Sequence, residues 1–264
     1  MSSAETNPRP GGGPLGSAED AVADRRRNAL LARLPVDEDQ RLAFQLEPVS
    51  LKPRDVVERQ GERLEAVYFP LDVVVSVVES TDTSGEVEIT TIGNEGVVGM
   101  QAFLGAAASP FNAHCQVPGR ALRLGSTELR ASLSANATLY QLFRVSAQVT
   151  IAQLSRNVIC HQLHQAEPRT ARWLLMTHDR VGADEFQLTQ DFLAQMLGVR
   201  RMTVSEVASG FQQRGLIRYT RGRITIIDRA GLEASACECY RILHDQTRTL
   251  LDQPPQPFPD APPS

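Results

Sequence analysis

The sequence predicts an α+β protein in which a small antiparallel β barrel or jelly roll is followed by a long helix and a C-terminal winged helix-turn-helix domain. Short β-branched runs separated by turn residues occupy residues 49–124. Apolar residues then recur at alternating spacings of three and four over residues 136–165. Residues 188–228 carry the signals of two short helices and a hairpin.

The barrel is predicted over residues 28–133, between two tails. Residues 1–27 and 252–264 are expected to be disordered, because segments rich in Pro and Gly cannot bury a core. Strands are predicted at residues 56–57, 66–69, 73–78, 87–91, 115–117 and 121–124.

Residues 134–166 are predicted to form one long helix with an apolar seam. Its members are Leu142, Val145, Val149, Ala152, Arg156, Ile159 and Leu163. This spacing is typical of a coiled-coil pair, so we expect the helix to pair with its copy in a homodimer. A helix of this length beside a barrel can also bury such a seam against its own domain, and that alternative stays open.

The DNA-binding domain is predicted over residues 167–251. It begins with a helix at residues 167–181, and the first motif helix follows Thr189, whose hydroxyl is expected to accept a hydrogen bond from a free N–H at the helix start. Gly198 and Gly215 are expected to end the two motif helices. A hairpin turns at Arg221-Gly222, and Asp228 caps a closing helix expected to run through Tyr240 to about residue 251.

The second motif helix is the candidate reader of DNA. An apolar stripe on its inner face leaves arginines at its exposed first turn, where a major-groove reader places its side chains. Residues 188–227 hold six arginines against Asp191 and Glu206, a net charge of +4 in a chain of net charge −4. The candidate contacts are Thr189, Gln190, Arg200, Arg201, Met202, Thr203, Ser205 and Glu206, with Arg218, Arg221 and Arg223 on the wing for phosphates.

Composition excludes several other classes. The chain has 264 residues and 42% hydrophobic content, and no apolar run approaches the ~20 residues that a membrane-spanning helix needs. The start of the chain lacks the apolar core of a secretory signal, so a cytoplasmic location is expected. Four scattered cysteines do not make a disulfide framework and fit a reduced compartment.

The order of barrel, long helix and winged helix resembles the cAMP receptor protein and fumarate-nitrate reductase regulator (Crp/Fnr) family of bacterial transcription factors over residues 28–251. Gln60-Gly61-Glu62, residues 93–100 and residues 188–227 carry the resemblance. It implies a cyclic-nucleotide-binding-like barrel, a homodimer on a pseudo-palindromic operator in double-stranded DNA, and contact with RNA polymerase in an activator. It implies no enzymatic activity.

The barrel cassette departs from the cAMP-binding members. Those members place Glu after the glycine and Arg at the end of the loop, whereas this chain has Met100 after Gly99 and the run Phe111-Asn112-Ala113 at the loop end. A buried phosphate needs a cation or several donors, and Phe111 offers neither, so cAMP is not expected to bind. The candidate pocket for an unidentified effector adds Arg156 and Asn157 from the long helix; Arg156 can equally extend outward from a seam position.

No cofactor is certain from the sequence, and no metal site is predicted. The cysteines of iron-sulfur members are absent ahead of the barrel, and Cys237 and Cys239 are interpreted as ordinary helix residues. Two alternatives remain. One is a metal- or haem-dependent redox protein using Cys160, His161 and His164; the other is a constitutive DNA binder with an empty barrel.

The reader helix also departs from well-studied members. Met202 follows Arg201 where those members have Glu, and an apolar side chain can contact only a thymine methyl or avoid the bases. Glu206 stands where Arg is frequent. The half-site is therefore expected to differ from the familiar one.

Overall fold

The N-terminal segment is held against the barrel by polar contacts. In the computed structural model, which describes residues 18–81 and 85–253, helix α1 spans Ala18–Arg25. Arg120 binds Asp24 at 2.6 Å, and buried Asn28 donates to the carbonyls of Pro70 and Gly96. The prediction of a disordered tail is therefore wrong over Ala18–Arg25, because the chain forms a helix there whose last turn is held by ion pairs of Asp24 with Arg120 and of Arg25 with Asp39. Residues 1–17 lie outside the described residues. A 3-10 turn (Leu31–Arg33) and helix α2 (Val36–Ala43) follow.

Two antiparallel sheets face each other and form the barrel. The strands are β1 (Glu47–Leu51), β2 (Val56–Glu58), β3 (Ala66–Pro70), β4 (Val74–Thr81), β5 (Gly85–Ile92), β6 (Asn112–Val117) and β7 (Gly119–Gly125). One sheet has the order β1-β7-β3 and the other β2-β6-β4-β5. All six predicted strands are present, whereas β1 was not predicted because Pro48 interrupts its apolar pattern. Helix α3 (Met100–Phe103) lies within the barrel sequence, and α4 (Ser126–Ala135) follows β7.

The long helix α5 spans Ala137–Leu163, and its predicted seam divides between two environments. Leu142 and Val149 are buried, and Leu142 packs in the same apolar cluster as Phe69 and Phe143 of its own chain. Ile159 and Leu163 are exposed to 39% and 74%. The predicted seam is therefore not one continuous free stripe, because its N-terminal half covers the barrel.

The C-terminal domain has the predicted winged helix-turn-helix order. Helix α6 (Ala166–Val181) is followed by β8 (Glu185–Gln187), α7 (Gln190–Leu197), α8 (Arg201–Gln213), β9 (Ile217–Thr220) and β10 (Arg223–Ile226). The sheet order is β8-β10-β9, and β8 was not predicted. Thr189 Oγ1 accepts from Phe192 N at 3.3 Å, and Gly198 and Gly215 have φ of 61° and 72°, as the capping signals predict.

The predicted single closing helix is wrong. The chain forms α9 (Arg229–Ser235) and α10 (Cys239–Asp252), separated by Ala236-Cys237-Glu238. Asp228 caps α9 as expected, with its carboxylate accepting from Gly231 N at 2.9 Å. Residue Asp252 ends α10, so the C-terminal tail predicted from 252 begins within a helix; residues 254–264 lie outside the described residues.

Polar side chains join the barrel, the long helix and the DNA-binding domain. Arg180 on α6 is 6% exposed; it pairs with Glu95 at 2.6 Å and donates to the carbonyl of Thr91. Arg172 on α6 donates to Asn157 on α5 at 2.6 Å. Among the described helices none combines the length and apolarity required to cross a membrane.

Candidate DNA-binding surface and effector cavity

Helix α8 presents one polar face because its opposite face is buried. Val204, Ala208 and Phe211 are at most 5% exposed and pack in the core of the C-terminal domain. Met202 is 74% exposed on the other face, and Glu206 is exposed one turn later. Arg200 and Arg201 stand exposed at the start of the helix. The first turn of α8 is therefore free to enter a groove.

Three of the predicted contact residues also hold the motif together. Thr189 caps α7, and Ser205 Oγ donates to Gln190 Oε1 at 2.7 Å, which ties α8 to α7. Tyr219 on β9 donates its hydroxyl to Leu188 O at 3.1 Å and its backbone N–H to Gln212 of α8 at 2.9 Å. These bonds fix the angle between the reader helix and the wing.

Two arginines of this surface rest in weak ion pairs. Arg201 pairs with Asp191 at 3.2 Å, and Arg223 pairs with Glu185 at 2.6 Å, with all four side chains more than half exposed. Exposed pairs of this kind contribute at most about 1 kcal/mol, so a phosphate or base can replace the carboxylate.

The wing places further charge on the same domain. Arg218 and Arg221 are exposed, and Arg221 (φ 50°) with Gly222 (φ 77°) makes the tight turn between β9 and β10. Together with Arg200, Arg201 and Arg223 these side chains give the domain the concentration of positive charge that phosphate backbones attract.

The barrel contains a cavity of about 310 Å³ beside β2 and β3. Val56, Val57 and Tyr68 supply apolar wall, while Glu58, Arg63 and Arg123 bring charge. None of the predicted pocket residues is among the described residues that line it. The predicted pocket residues and this cavity therefore do not coincide, because the described lining of the cavity comes mainly from residues 56–68.

Glu58 accepts hydrogen bonds from donors in and beside the barrel cassette. The residue is 8% exposed, and its carboxylate accepts from Ser109 Oγ at 2.6 Å and from the backbone N–H of Gly99. Burial raises the pKa of Glu58, and the two hydrogen bonds oppose that rise. Gly99 has φ of 88°, and a Cβ there would lie 2.9 Å from Ala66 O, so only glycine fits. A carboxylate of the protein itself thus binds where an anionic ligand would need donors.

The predicted pocket residues have structural roles here. Met100 and Ala113 are buried in two different apolar clusters, and Phe111 packs partly buried beside the second cluster. Asn112 Oδ1 accepts from Gln60 N at 2.9 Å, and Asn157 Nδ2 donates to Ile89 O at 2.9 Å. Arg156 has a buried Nε without a hydrogen-bond partner among the described residues.

A half-buried glutamate lies where the barrel meets the DNA-binding domain. Glu88 on β5 accepts from Ser76 Oγ at 2.6 Å, and the same hydroxyl contacts the sulfur of Met196 on α7. Burial raises the pKa of Glu88 to about 7, although the hydrogen bond from Ser76 and the charges of Arg180 and Arg172 act in the opposite direction.

Four potential metal ligands come together at the end of α5. The ligand atoms of Cys160, His164, Cys237 and Cys239 lie within 4.8 Å of one another. Cys237 lies between α9 and α10 instead of on a helix, which corrects the sequence interpretation. His161 does not join this group, since its Nδ1 contacts Arg169 at 2.6 Å. The sequence did not reveal the grouping because the two halves are separated by more than seventy residues.

The thiol of Cys160 is polarised by its neighbours. The hydrogen bond from Cys237 and the positive charge of Arg172 lower the pKa of Cys160 to about 4, against the opposing effect of burial. The same contact raises the pKa of Cys237.

Comparison with known proteins agrees with this architecture. Residues 48–136 match the cyclic nucleotide-binding domain, and residues 168–235 match the Crp-like helix-turn-helix domain. These matches, together with the relatives described next, show a Crp-like transcription regulator with a helix-turn-helix DNA-binding domain. The chain belongs to the Crp/Fnr family.

The aligned regions cover most of the length of the similar proteins. A CRP-like cAMP-activated global transcriptional regulator of Mycobacterium tuberculosis is 25% identical over 195 residues, 71% of this chain and 87% of that protein. The transcriptional regulatory protein btr of Bordetella pertussis is 27% identical over 203 residues, 69% of this chain and 81% of that protein. The structure of FixK2 from Bradyrhizobium japonicum superposes with a TM-score of 0.62 at 15% identity, covering 73% of this chain and 98% of that one.

Proposed function

We propose that the protein is a homodimeric transcription regulator that reads a pseudo-palindromic operator with residues 200–206 and responds to an effector other than cAMP. The exposed polar face of α8 carries this proposal. Arg200, Arg201, Met202 and Glu206 are exposed on the reader helix, and arginines on the wing flank them. Base edges are read by such a first turn, whereas phosphates position the domain.

The homodimer is supported by a second stripe on α5. Ile151 and Val158 are each 64% exposed and lie seven residues apart, one heptad, with Leu154 partly exposed between them and Tyr140 exposed further along. This stripe faces away from the buried Leu142 and Val149. Exposed β-branched residues at heptad spacing on a 27-residue helix are expected to pair with the same stripe of a second copy.

The effector is proposed to bind in the 310 Å³ cavity beside Glu58. Glu58 already accepts from the Gly99 N–H and from Ser109, so a cyclic phosphate would have to displace a carboxylate. Arg63 and Arg123 in the cavity wall favour a ligand with a polar group that can accept hydrogen bonds from them. The alternative is a constitutive DNA binder with an empty barrel. Thermal unfolding against a metabolite library separates them, because a ligand of the native state raises the midpoint.

The regulator is further proposed to work in the cytoplasm without enzymatic activity and to contact RNA polymerase where it activates. No residue roles are assigned to that contact.

The direct test is selection of bound sequences from a library of random duplexes. We expect enriched sites with two inverted half-sites whose centres are about ten base pairs apart, one helical turn. An Arg201→Ala variant should lose the enrichment, whereas Arg241→Ala on α10, 73% exposed and outside the reader, should keep it. Enrichment of unpaired half-sites would contradict the dimer, and no enrichment would contradict the reader assignment.

A further inference from the structure

Two parts of the chain that are far apart in sequence bring three cysteines and one histidine close together. Cys160 lies in the last turn of α5, and His164 caps the end of that helix, where its backbone N–H donates to Cys160 O at 3.1 Å and keeps the two residues close. Cys237 precedes α10 and Cys239 is its first residue. Cys160, Cys237 and Cys239 are 1%, 7% and 0% exposed and form an apolar cluster of their own. Three buried thiols beside one imidazole are an unusual way to fill a core, since any aliphatic side chain would pack there without reactive groups.

The separations match a tetrahedral metal site. Cys160 Sγ lies 3.6 Å from Cys237 Sγ, and Cys239 Sγ lies 3.6 Å from His164 Nδ1. A sulfur ligand lies about 2.3 Å from Zn²⁺, so neighbouring sulfurs of a tetrahedral site are about 3.8 Å apart. A disulfide would require about 2.05 Å, so the cysteines are not bonded to each other.

The second ring nitrogen of His164 has a carboxylate partner, as is common for histidines that bind a metal. His164 presents Nδ1 to the cysteines, while its Nε2 lies 3.2 Å from Glu238 Oε1. Metal-bound histidines commonly donate the other ring N–H to a carboxylate, which fixes the tautomer and raises the basicity of the ligating nitrogen. Glu238 stands between Cys237 and Cys239, so one short segment provides two ligands and this carboxylate.

We propose that Cys160, His164, Cys237 and Cys239 bind one Zn²⁺ ion in a closed structural site. Four protein ligands of the Cys₃His type complete a tetrahedral shell and leave no position for substrate. A two-iron cluster would hold its ligands on two separate atoms, and four ligand atoms all within 4.8 Å of one another fit a single ion better. Three thiolates and a neutral imidazole give the site a net charge of −1 with Zn²⁺, and the cationic Arg172 lies close enough to act on Cys160 and Cys239.

The ion would join the dimerisation helix to the DNA-binding domain at the bend between them. Cys160 lies in the last turn of α5 and His164 directly follows that helix, shortly before α6 begins at Ala166. The Cys237 N–H donates to Pro168 O at 3.4 Å. Zinc at this point would fix α9 and α10 to the end of α5 and so hold the orientation of the DNA-binding domain relative to the long helix. This role is independent of which effector fills the barrel.

The test measures metal in protein purified without a polyhistidine tag. We expect about one zinc per chain by elemental analysis, with loss of most of it in Cys239→Ser and in His164→Gln. The matched controls are Cys115→Ser in the barrel and His244→Gln, whose side chain is 53% exposed on α10; both should keep the zinc. Retention of zinc in both ligand variants would overturn the assignment, as would a metal-free wild type.

Cobalt substitution tests the ligand set in the folded wild-type chain and so does not depend on variants that fold. Tetrahedral Co²⁺ bound by three thiolates should give intense visible bands and a sulfur-to-metal charge-transfer band. Zinc should displace the cobalt, and the three buried thiols should then resist a thiol reagent until a chelator is added. Weak octahedral bands, or a brown iron-sulfur chromophore in the purified protein, would contradict a zinc site.

Discussion

The charged side chains of the DNA-binding surface and of the barrel differ in their exposure and in how firmly they are paired. On the reader surface Arg201 and Arg223 are more than half exposed and held only by surface pairs with Asp191 and Glu185. Beside the barrel cassette, Glu58 of β2 is 8% exposed and accepts hydrogen bonds from Ser109 and Gly99. We therefore expect the exposed arginines of the reader to bind an anionic partner, whereas the donors of Ser109 and Gly99 are already occupied by a carboxylate of the chain itself.

The largest expected effect comes from breaking the proposed pairing of two reader domains. Ile151→Glu combined with Val158→Glu should give a monomer by light scattering, because it places charges on the exposed stripe of both copies. Operator affinity should fall by about 10²-fold or more, since a monomer engages one half-site only.

The matched control for that variant is Val36→Glu, a change of similar exposure on α2 (62%). It should leave the dimer and the operator affinity intact. If the double variant remains dimeric, the stripe is not the interface, and pairing must use another surface.

A smaller effect is expected from the carboxyl between barrel and reader domain. Glu88 has a pKa of about 7 in the folded protein against 4.5 for a free side chain, so the folded state holds more protons between these values. The free energy of unfolding should therefore fall as pH rises from about 5 to about 7 and stay level above.

Glu88→Gln should remove most of this dependence, because the amide oxygen still accepts from Ser76 without becoming charged. The measurement is the unfolding midpoint of wild type and variant at pH 5.5 and pH 8. The wild type should lose more than the variant between these two values; equal losses would show that Glu88 does not titrate in this range.

The smallest expected effect is the binding heat of cAMP. Calorimetry at physiological cAMP concentration should show no binding heat, because Met100 and Phe111 replace the ribose and phosphate ligands and Glu58 holds the Gly99 N–H. A micromolar dissociation constant would mean that cavity residues such as Arg63 or Arg123 have taken over the phosphate, and the contrast between the two domains would then fail.

The sequence predicts features that depend on neighbouring residues and misses those that depend on distant ones. Thr189, Gly198 and Gly215 act through their own backbone, so the caps and bounds of the motif helices could be predicted. The seam of α5 could not be placed correctly, since several faces of a mostly apolar helix fit a heptad and only the barrel decides which one is buried. The contacts of Glu58 with Gly99 and of Cys160 with Cys237 form only when the chain has folded, so the sequence alone did not reveal them.

The most direct test of the reader assignment compares Arg201→Ala with Arg223→Ala on operator and scrambled duplexes at several salt concentrations, with Arg241→Ala as control. Arg201→Ala should cost roughly 1 to 3 kcal/mol per half-site on the operator and much less on scrambled DNA, because its expected partner is a base edge. Arg223→Ala should weaken both duplexes alike and reduce the salt slope by about one unit for each half-site. If Arg201→Ala instead weakens both duplexes equally while Arg223→Ala abolishes discrimination, α8 does not read the bases.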